Sequence, residues 1–364
     1  MSSEIKALIL AGGFGTRLRP LTDHTPKPLL PIVGKPVLTY SLERLKTAGI
    51  RNVVISVNSA LAEQLKEHYG NGARHGLKIK YIVEPADAEE AKFGAVGAIS
   101  YATPYLERNE DYVLIGSDNF APAFDFAHFV SAHRKRSYDA TVALYSMDMC
   151  DMHSQFGMAV INKAGRIVRF QEKPKIAACI ASKSGVASKS LISTCYYVVT
   201  PKFLQEHVPR YVEEKRRVGQ KPDNLGEIFE KMIEWGATIN GYVFKDFWID
   251  IGKPAGYLKA NHYVMGAEFG ERVMVDPTAV VSPLAKLGKG PVIVRARAKI
   301  GANVVIQPFT EIGEGASIGR GSSVSASMIF PNAVVGRNCT LDECIIDSGK
   351  KVENGTRVER HSIY

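Results

Sequence analysis

From residue 294 onward an aliphatic side chain returns at every sixth position: Val294, Ile300, Ile306, Ile312, Ile318 and Val324. Glycine follows three of them, at Gly301, Gly313 and Gly319. Few folds accept that spacing. A helix repeats every 3.6 residues and a strand every two, whereas a period of six with one inward aliphatic per repeat builds the sides of a narrow solenoid, the hexapeptide β-helix. After a short break the spacing resumes at Val335, Leu341, Val352 and Val358. Residues 276–364 are therefore expected to form a separate β-helix domain of roughly four coils at about 18 residues each.

The first 265 residues have a different texture. Strand-like Lys6 to Ala11 is followed by helical spacing over Val37 to Ala48, closed by Gly49, and then by a strand-like run from Asn52 to Val57. The alternation continues with Ala60 to Tyr69 helical, Ile79 to Val83 extended, Gly94 to Thr103 helical and Tyr112 to Ile115 extended. Repeated alternation of this kind predicts an α/β fold with a doubly wound, mostly parallel sheet, which binds ligands at the carboxyl ends of its strands. Extended runs at Ala140 to Tyr145, Met158 to Asn162 and Cys195 to Val199 predict an added β-rich lobe.

Composition narrows the partners. The chain has 364 residues, 45% hydrophobic and 23% charged, as in ordinary soluble domains. It contains no apolar run long enough for a membrane span and no secretory leader pattern, so a cytoplasmic protein without membrane contact is expected. Its five cysteines (Cys150, Cys179, Cys195, Cys339, Cys344) are scattered and read as reduced packing residues. The net charge of +9 is densest at Arg134-Lys135-Arg136 and Lys215-Arg216-Arg217. Without a nucleic-acid motif these clusters read as solvated helix faces, and no nucleic-acid partner is expected.

The first strand runs into Ala11-Gly12-Gly13-Phe14-Gly15-Thr16-Arg17-Leu18-Arg19-Pro20-Leu21-Thr22, with Pro26-Lys27-Pro28 close behind. Three glycines leave amide N–H groups bare to a polyanion, while Thr16, Arg17 and Lys27 add a hydroxyl and two positive charges. The segment reads as phosphate-handling. It is neither a dinucleotide fingerprint, which needs glycine where Leu18 stands, nor a Walker A loop. Two carboxylates follow apolar strands at the same sheet edge, in Gly116-Ser117-Asp118-Asn119 and in Trp248-Ile249-Asp250-Ile251-Gly252. Converging on a phosphate ligand, they would suit Mg²⁺, which shares a few oxygen ligands with phosphate and water.

The long glycine–arginine–lysine segment resembles the signature of the sugar-1-phosphate nucleotidylyltransferases, and the similarity continues to about residue 265. The tail resembles the left-handed parallel β-helix that several of these enzymes carry. The resemblance implies transfer of a nucleoside monophosphate from a nucleoside triphosphate to a sugar 1-phosphate. It implies catalytic roles for Arg17, Lys27, Asp118, Lys173 and Asp250, with Mg²⁺ on Asp118 and Asp250. Nucleotide contacts fall to Ala11, Gly12, Gly13, Gly15, Thr16, Glu84 and Gly94. Sugar-phosphate contacts fall to Asn119, Gly157, Glu172 and Thr194, through the elements Phe156-Gly157, Glu172-Lys173-Pro174 and Ser193-Thr194-Cys195.

The chain departs from the family pattern between Glu84-Pro85 and Gly94, where eight residues rich in alanine and acid intervene, and at Ser193-Thr194-Cys195. The layout is most similar to the mannose-1-phosphate guanylyltransferases. Glucose-1-phosphate thymidylyl- or uridylyltransferases, and non-catalytic regulatory or translation-exchange-factor-like relatives, are the alternatives. A homo-oligomer, dimer or tetramer, assembled through the β-helix is expected, because open solenoid ends are usually covered by another subunit.

Overall fold

The computed structural model describes residues 5–148, 155–174, 189–358 and 360–364. Cys150 and Cys179 lie outside the described residues. The chain divides into two compact units. One joins Leu38–Trp248 to the start of the chain up to Phe14, and the other joins Gly15–Val37 to Ile249–Tyr364.

The first unit is built on a nine-stranded sheet. Its path runs Ile167–Gln171, Met158–Ile161, Lys189–Val199, Tyr112–Gly116, Lys6–Leu10, Asn52–Asn58 and Lys78–Glu84, with Ala140–Asp148 and Ile239–Phe244 joining it beside Lys189–Val199. The four strands from Tyr112–Gly116 to Lys78–Glu84 are parallel. Their nearly continuous Val, Ile and Leu content suits strands buried on both faces. The doubly wound part of the sheet is parallel as expected, and the β-rich lobe joins it through the antiparallel strand Lys189–Val199.

Helices Ser59–Tyr69, Ala95–Ala102, Phe126–Arg134, Val208–Arg217 and Leu225–Glu234 stand within a residue or two of where the sequence spacing calls for helix or fill the stretches between strands. One core runs from Leu8 and Leu114 through Val142 and Tyr197 to Phe203 and Phe229. The Lys215-Arg216-Arg217 cluster ends a helix. Arg216 and Arg217 pair with Glu213 and Lys215 pairs with Glu227, as expected of a solvated face.

In the second unit, fifteen short strands stack into three parallel sheets of five. This is the three-sided β-helix expected from the hexads, with Val294, Ile300, Ile306, Ile312, Ile318 and Val324 all in its core. Its pitch is not constant. Val281 pairs with Ile300, Ile300 with Ile318, and Ile318 with Val335, so successive coils take nineteen, eighteen and seventeen residues.

The apparent break after Val324 is therefore a shortened side. Ile329 occupies the inward position five residues on, and Ile346 does the same one coil later. Ala326 (φ 46°) and Glu343 (φ 47°) turn these tight corners in the left-handed region. The tighter coils, together with strands already formed at Val273–Val275, Val280–Val281 and Lys286–Leu287, give five tiers in place of about four.

Candidate nucleotide and sugar-phosphate site

Within the first unit a cavity of ≈ 290 Å³ opens at the carboxyl ends of the parallel strands. Five of the expected site residues line it: Gly12, Gly13, Glu84, Gly94 and Asp118. Ala11 extends the ladder, its N–H donating to Ser56 O (2.8 Å), and delivers the two glycines to the rim. A Cβ on Gly13 would meet nothing within 4 Å, and one on Gly12 would make only ordinary contacts. Protein packing does not demand these glycines. Their bare edge faces the cavity, where a ligand can approach the backbone closely.

Glu84 ends its strand with a carboxyl that is 3% exposed and accepts from Ser56 Oγ (2.8 Å). Burial pushes its pKa up, and the Ser56 hydrogen bond opposes the rise. Gly94 has φ 78°, and a Cβ there would strike the backbone of Asp223 at 2.6 Å. This close approach seats the start of helix Ala95–Ala102 against Asp223, with Ala95 N–H donating to Asp223 O (3.0 Å).

The Asp118 carboxylate is oriented from behind. Asn119 Nδ2 donates to Asp118 Oδ1 (2.8 Å), and Asn119 Oδ1 accepts from the indole N–H of Trp248 (3.0 Å). Asn119 is 3% exposed, so both ends of its amide are held inside the protein. The reading that gives Asn119 a sugar-phosphate contact must therefore share its amide with this chain. Gly116 is small because Asn119 Nδ2, Cys195 Cβ and Asp118 Oδ1 all lie within 3.2 Å of where its Cβ would stand.

On the sugar side, Thr194 is wholly buried and its hydroxyl donates to Ala143 O (3.0 Å). The cavity receives its neighbour instead. The strand register shifts between Ser193 and Tyr197, and Cys195, at φ 53°, lines the cavity. Bulges often re-aim a side chain beside a functional site in this way. Cys195 is thus not only a packing residue, whereas the free thiols of Cys339 and Cys344 are buried in the β-helix.

Glu172 is largely buried against two glycines. A Cβ on Gly157 would lie 2.8 Å from Glu172 Oε2, and Gly226 packs closer still. Burial raises the Glu172 pKa, and Lys173 Nζ, 3.4 Å away, opposes the rise. Lys173 remains half-exposed and donates to Asn224 Oδ1 (3.2 Å).

The second unit carries Gly15, Thr16, Arg17, Lys27 and Asp250. Gly15 needs its φ of 67°, and a Cβ there would press on Thr22 Cγ2 at 2.9 Å. Thr22 Oγ1 donates to Gly15 O (2.9 Å), closing the loop, and Leu18 and Leu21 are buried. Thr16 and Arg17 stay exposed while Lys27 is 7% exposed. Arg17 meets the Trp-x-Asp-x-Gly segment over Gly252. A Cβ on Gly252 would lie 2.6 Å from Arg17 Nη2 and 2.6 Å from Asp250 Oδ1.

The sequence reading missed Lys92, Gly116, Asp223, Leu225 and Gly226, and it did not anticipate Trp248 as an anchor. Asp223 and Asn224 carried a usable signal: an acid and an amide just before a helix.

Among the described residues no group of three or more His, Cys, Asp or Glu side chains could cage a metal ion. That does not disfavour Mg²⁺, which takes one or two carboxylates and completes its shell with phosphate and water. Asp118 in the first unit and Asp250 in the second each offer a hard, anionic oxygen donor of the kind Mg²⁺ takes. Among the described residues no helix is long and apolar enough to cross a membrane.

Residues 6–266 match the family model described as nucleotidyl transferase, and residues 288–364 match that described as GMPPB C-terminal domain. A glucose-1-phosphate thymidylyltransferase of Streptomyces antibioticus is 31% identical over 344 residues, covering 93% of this chain and 84% of that protein. The mannose-1-phosphate guanylyltransferase catalytic subunit beta of Danio rerio is 30% identical over 293 residues, covering 76% and 73%. A crystal structure from Bacillus anthracis, described as a glucose-1-phosphate thymidylyltransferase in complex with a sucrose, covers 71% of this chain and 94% of its own. At a TM-score of 0.59 and 24% identity it speaks to the fold alone.

Proposed function

The chain belongs to the nucleotidyl transferase family, and from that premise we propose that it transfers GMP from GTP to mannose 1-phosphate, releasing pyrophosphate. The observation that carries the choice of base is Glu84. A buried carboxylate in the cavity accepts hydrogen bonds and donates none while ionised. The guanine edge presents adjacent N1–H and N2–H₂ donors that a carboxylate can accept together. Uracil and thymine present one N–H between two carbonyls, which would face the carboxylate oxygens. The match of residues 288–364 and the Danio rerio relative favour the same reading.

In this mechanism an oxygen of the sugar 1-phosphate, already ionised at neutral pH, attacks the α-phosphorus. The bond to the bridging oxygen breaks, and its electron pair leaves on pyrophosphate. No general base is needed, so the enzyme's work is alignment and charge neutralisation. The amides of Gly12, Gly13 and Gly15, with Thr16 and Arg17, receive the departing phosphates, and Lys27 bridges them to the α-phosphate. Lys173 steadies the incoming phosphate, and Glu172 accepts from sugar hydroxyls beside Gly157. Asp118 and Asp250 would hold Mg²⁺, which when bound screens the repulsion between the two polyanions.

We also infer a homo-oligomer in which a second copy covers the first coil of the β-helix. Strands Val273–Val275, Val280–Val281 and Lys286–Leu287 each end a sheet, and Val273, Met274, Val275, Val280 and Leu284 are exposed there. The far end is already covered in part, because Ile363 bridges to Ile345. Cys195, Cys339 and Cys344 are in no disulfide, which suits a reducing cytoplasm.

The test is a matrix of the four nucleoside triphosphates and dTTP against mannose, glucose and N-acetylglucosamine 1-phosphates, read by pyrophosphate release, in parent and Glu84→Gln. The parent should prefer GTP and mannose 1-phosphate. The carboxamide offers one donor and one acceptor, so kcat/KM for GTP should fall about tenfold to a hundredfold and pyrimidine nucleotides should gain. A GTP preference untouched by Glu84→Gln would sink the base assignment.

A further inference from the structure

The β-helix is not confined to assembly. In the second unit it packs with the segment that carries Lys27, and the contact converges on an unfavourable turn. Strands Pro31–Ile32 and Lys35–Pro36 pair as a hairpin whose two connecting residues are Val33 (φ 49°) and Gly34 (φ 82°). A β-branched residue in the left-handed region is an outlier, and such strain persists only where the surroundings impose it.

Three residues from elsewhere in the unit impose it. Val33 N–H donates to Asn261 Oδ1 (3.0 Å), and Asn261, 1% exposed, has its amide fixed by donating from Nδ2 to Tyr257 O (2.9 Å). The Tyr257 hydroxyl donates to Pro31 O, while its ring meets Phe330 of the β-helix edge-on at 6.4 Å. The third is Arg295, in the β-helix itself. Its Nε donates to Glu311 Oε1 (2.7 Å), which aims the guanidinium across Gly34, and Nη2 lies 3.3 Å from where a Gly34 Cβ would stand. That Nη2 is buried and makes no hydrogen bond, so packing over the glycine fixes it there. Helix Pro254–Phe269, which supplies Tyr257 and Asn261, is itself tied to the solenoid: His262 Nε2 lies 3.0 Å from Ala326 O, and its ring packs on Phe309.

The hairpin reaches Lys27 within one turn of chain. Leu30 N–H donates to Lys27 O (3.1 Å), and Val37 N–H at the hairpin's far end donates to Leu30 O (3.0 Å). We propose that Arg295 of the β-helix, with Asn261 and Tyr257 of the preceding helix, are positioning residues for Lys27, so that the tail sets the geometry of the phosphate loop within each protomer. This rests on the reading of Lys27 as a phosphate contact. Arg295→Lys should not substitute, because an ammonium has no planar fork to lie flat over Gly34.

The experiment uses full-length protein with Arg295→Ala, Arg295→Lys and Asn261→Asp, and with Lys27→Ala as control. It measures kcat and KM, amide hydrogen exchange of residues 27–37, thermal unfolding and oligomeric state. Arg295→Ala and Arg295→Lys should each lower kcat at least tenfold and speed exchange in 27–37, with assembly unchanged. Asn261→Asp keeps an acceptor for Val33 but loses the donor to Tyr257, and should fall between them and the parent. It also supplies the test if Arg295→Ala does not fold. Unchanged exchange in 27–37, or faster exchange at full kcat, overturns the proposal. Full turnover by Lys27→Ala overturns the reading of Lys27 and the catalytic half of the proposal with it, while the exchange result still decides whether the tail grips the hairpin.

Discussion

Gly252→Ala isolates geometry from stability. The added Cβ would stand 2.6 Å from both Arg17 Nη2 and Asp250 Oδ1, where ordinary contact begins at 3.4 Å. Each charged end must then retreat by roughly 0.8 Å, in opposite directions around the new methyl. Both obstacles are tips of flexible side chains and not backbone, so the fold can yield at a cost of about 1 kcal/mol or less. The chemistry cannot yield as easily. A misplacement near 1 Å costs on the order of a hundredfold in rate, which is about 2.7 kcal/mol in the barrier. Initial rates of pyrophosphate release over a grid of GTP, mannose 1-phosphate and Mg²⁺ should therefore show kcat down by about that factor and a higher Mg²⁺ requirement. The melting temperature should move by only a few degrees. If Gly252→Ala turns over within twofold of the parent, Arg17 and Asp250 are not held where the reaction needs them, and the reasoning fails.

Asp118→Asn should lower turnover by a few orders of magnitude with the melting temperature kept. Trp248→Phe, which removes the N–H that anchors Asn119 together with part of a buried ring, should lose less; equal losses would contradict the indirect role of Trp248. Burial lowers the pKa of His133 from 6.5 to about 4, and the ring is neutral beside Thr141 Oγ1 (2.8 Å). Because the unfolded ring takes its proton first, this site's contribution is complete above pH 6.5. It is lost as pH falls toward 4, by roughly 3 kcal/mol in all. Denaturant midpoints across that range should flatten in His133→Gln, and an unchanged slope would refute the assignment. Ile312→Asp should bury a carboxylate among stacked aliphatics at a cost of several kcal/mol, and light scattering should report dissociation or aggregation. A parent protein that stays monomeric at micromolar concentration would remove the oligomer from the reading.

What was legible in the sequence was what is local. The hexads announced the solenoid because each aliphatic answers to its own coil. They miscounted where Ala326 and Glu343 shorten a side and bring Ile329 and Ile346 inward one residue early, and where a first tier forms ahead of Val294. Gly15 was readable because a left-handed loop needs glycine. The sites of Cys195 and Thr194 were not, since a register shift in one long strand decides which of two neighbours faces the cavity. Asn119 was noticed for its place after Asp118, yet its anchor, Trp248, stands 129 residues away and no spacing links them. Likewise nothing in the run Pro31 to Pro36 hints that Val33 will meet Asn261, 228 residues downstream.

That last separation has a consequence for how the protein is made. The loop bearing Arg17 and Lys27 leaves the ribosome among the first forty residues, but Asn261 and Arg295, which brace its hairpin, emerge some 230 to 260 residues later. At translation speeds of about 5–20 residues per second the loop waits roughly ten to fifty seconds for its supports. The sheet of the first unit, whose strands end at Phe244, can settle meanwhile. A nascent chain arrested before residue 295 would then carry the cavity of the first unit with the hairpin after Lys27 still unbraced, until Arg295 and its partner Glu311 emerge.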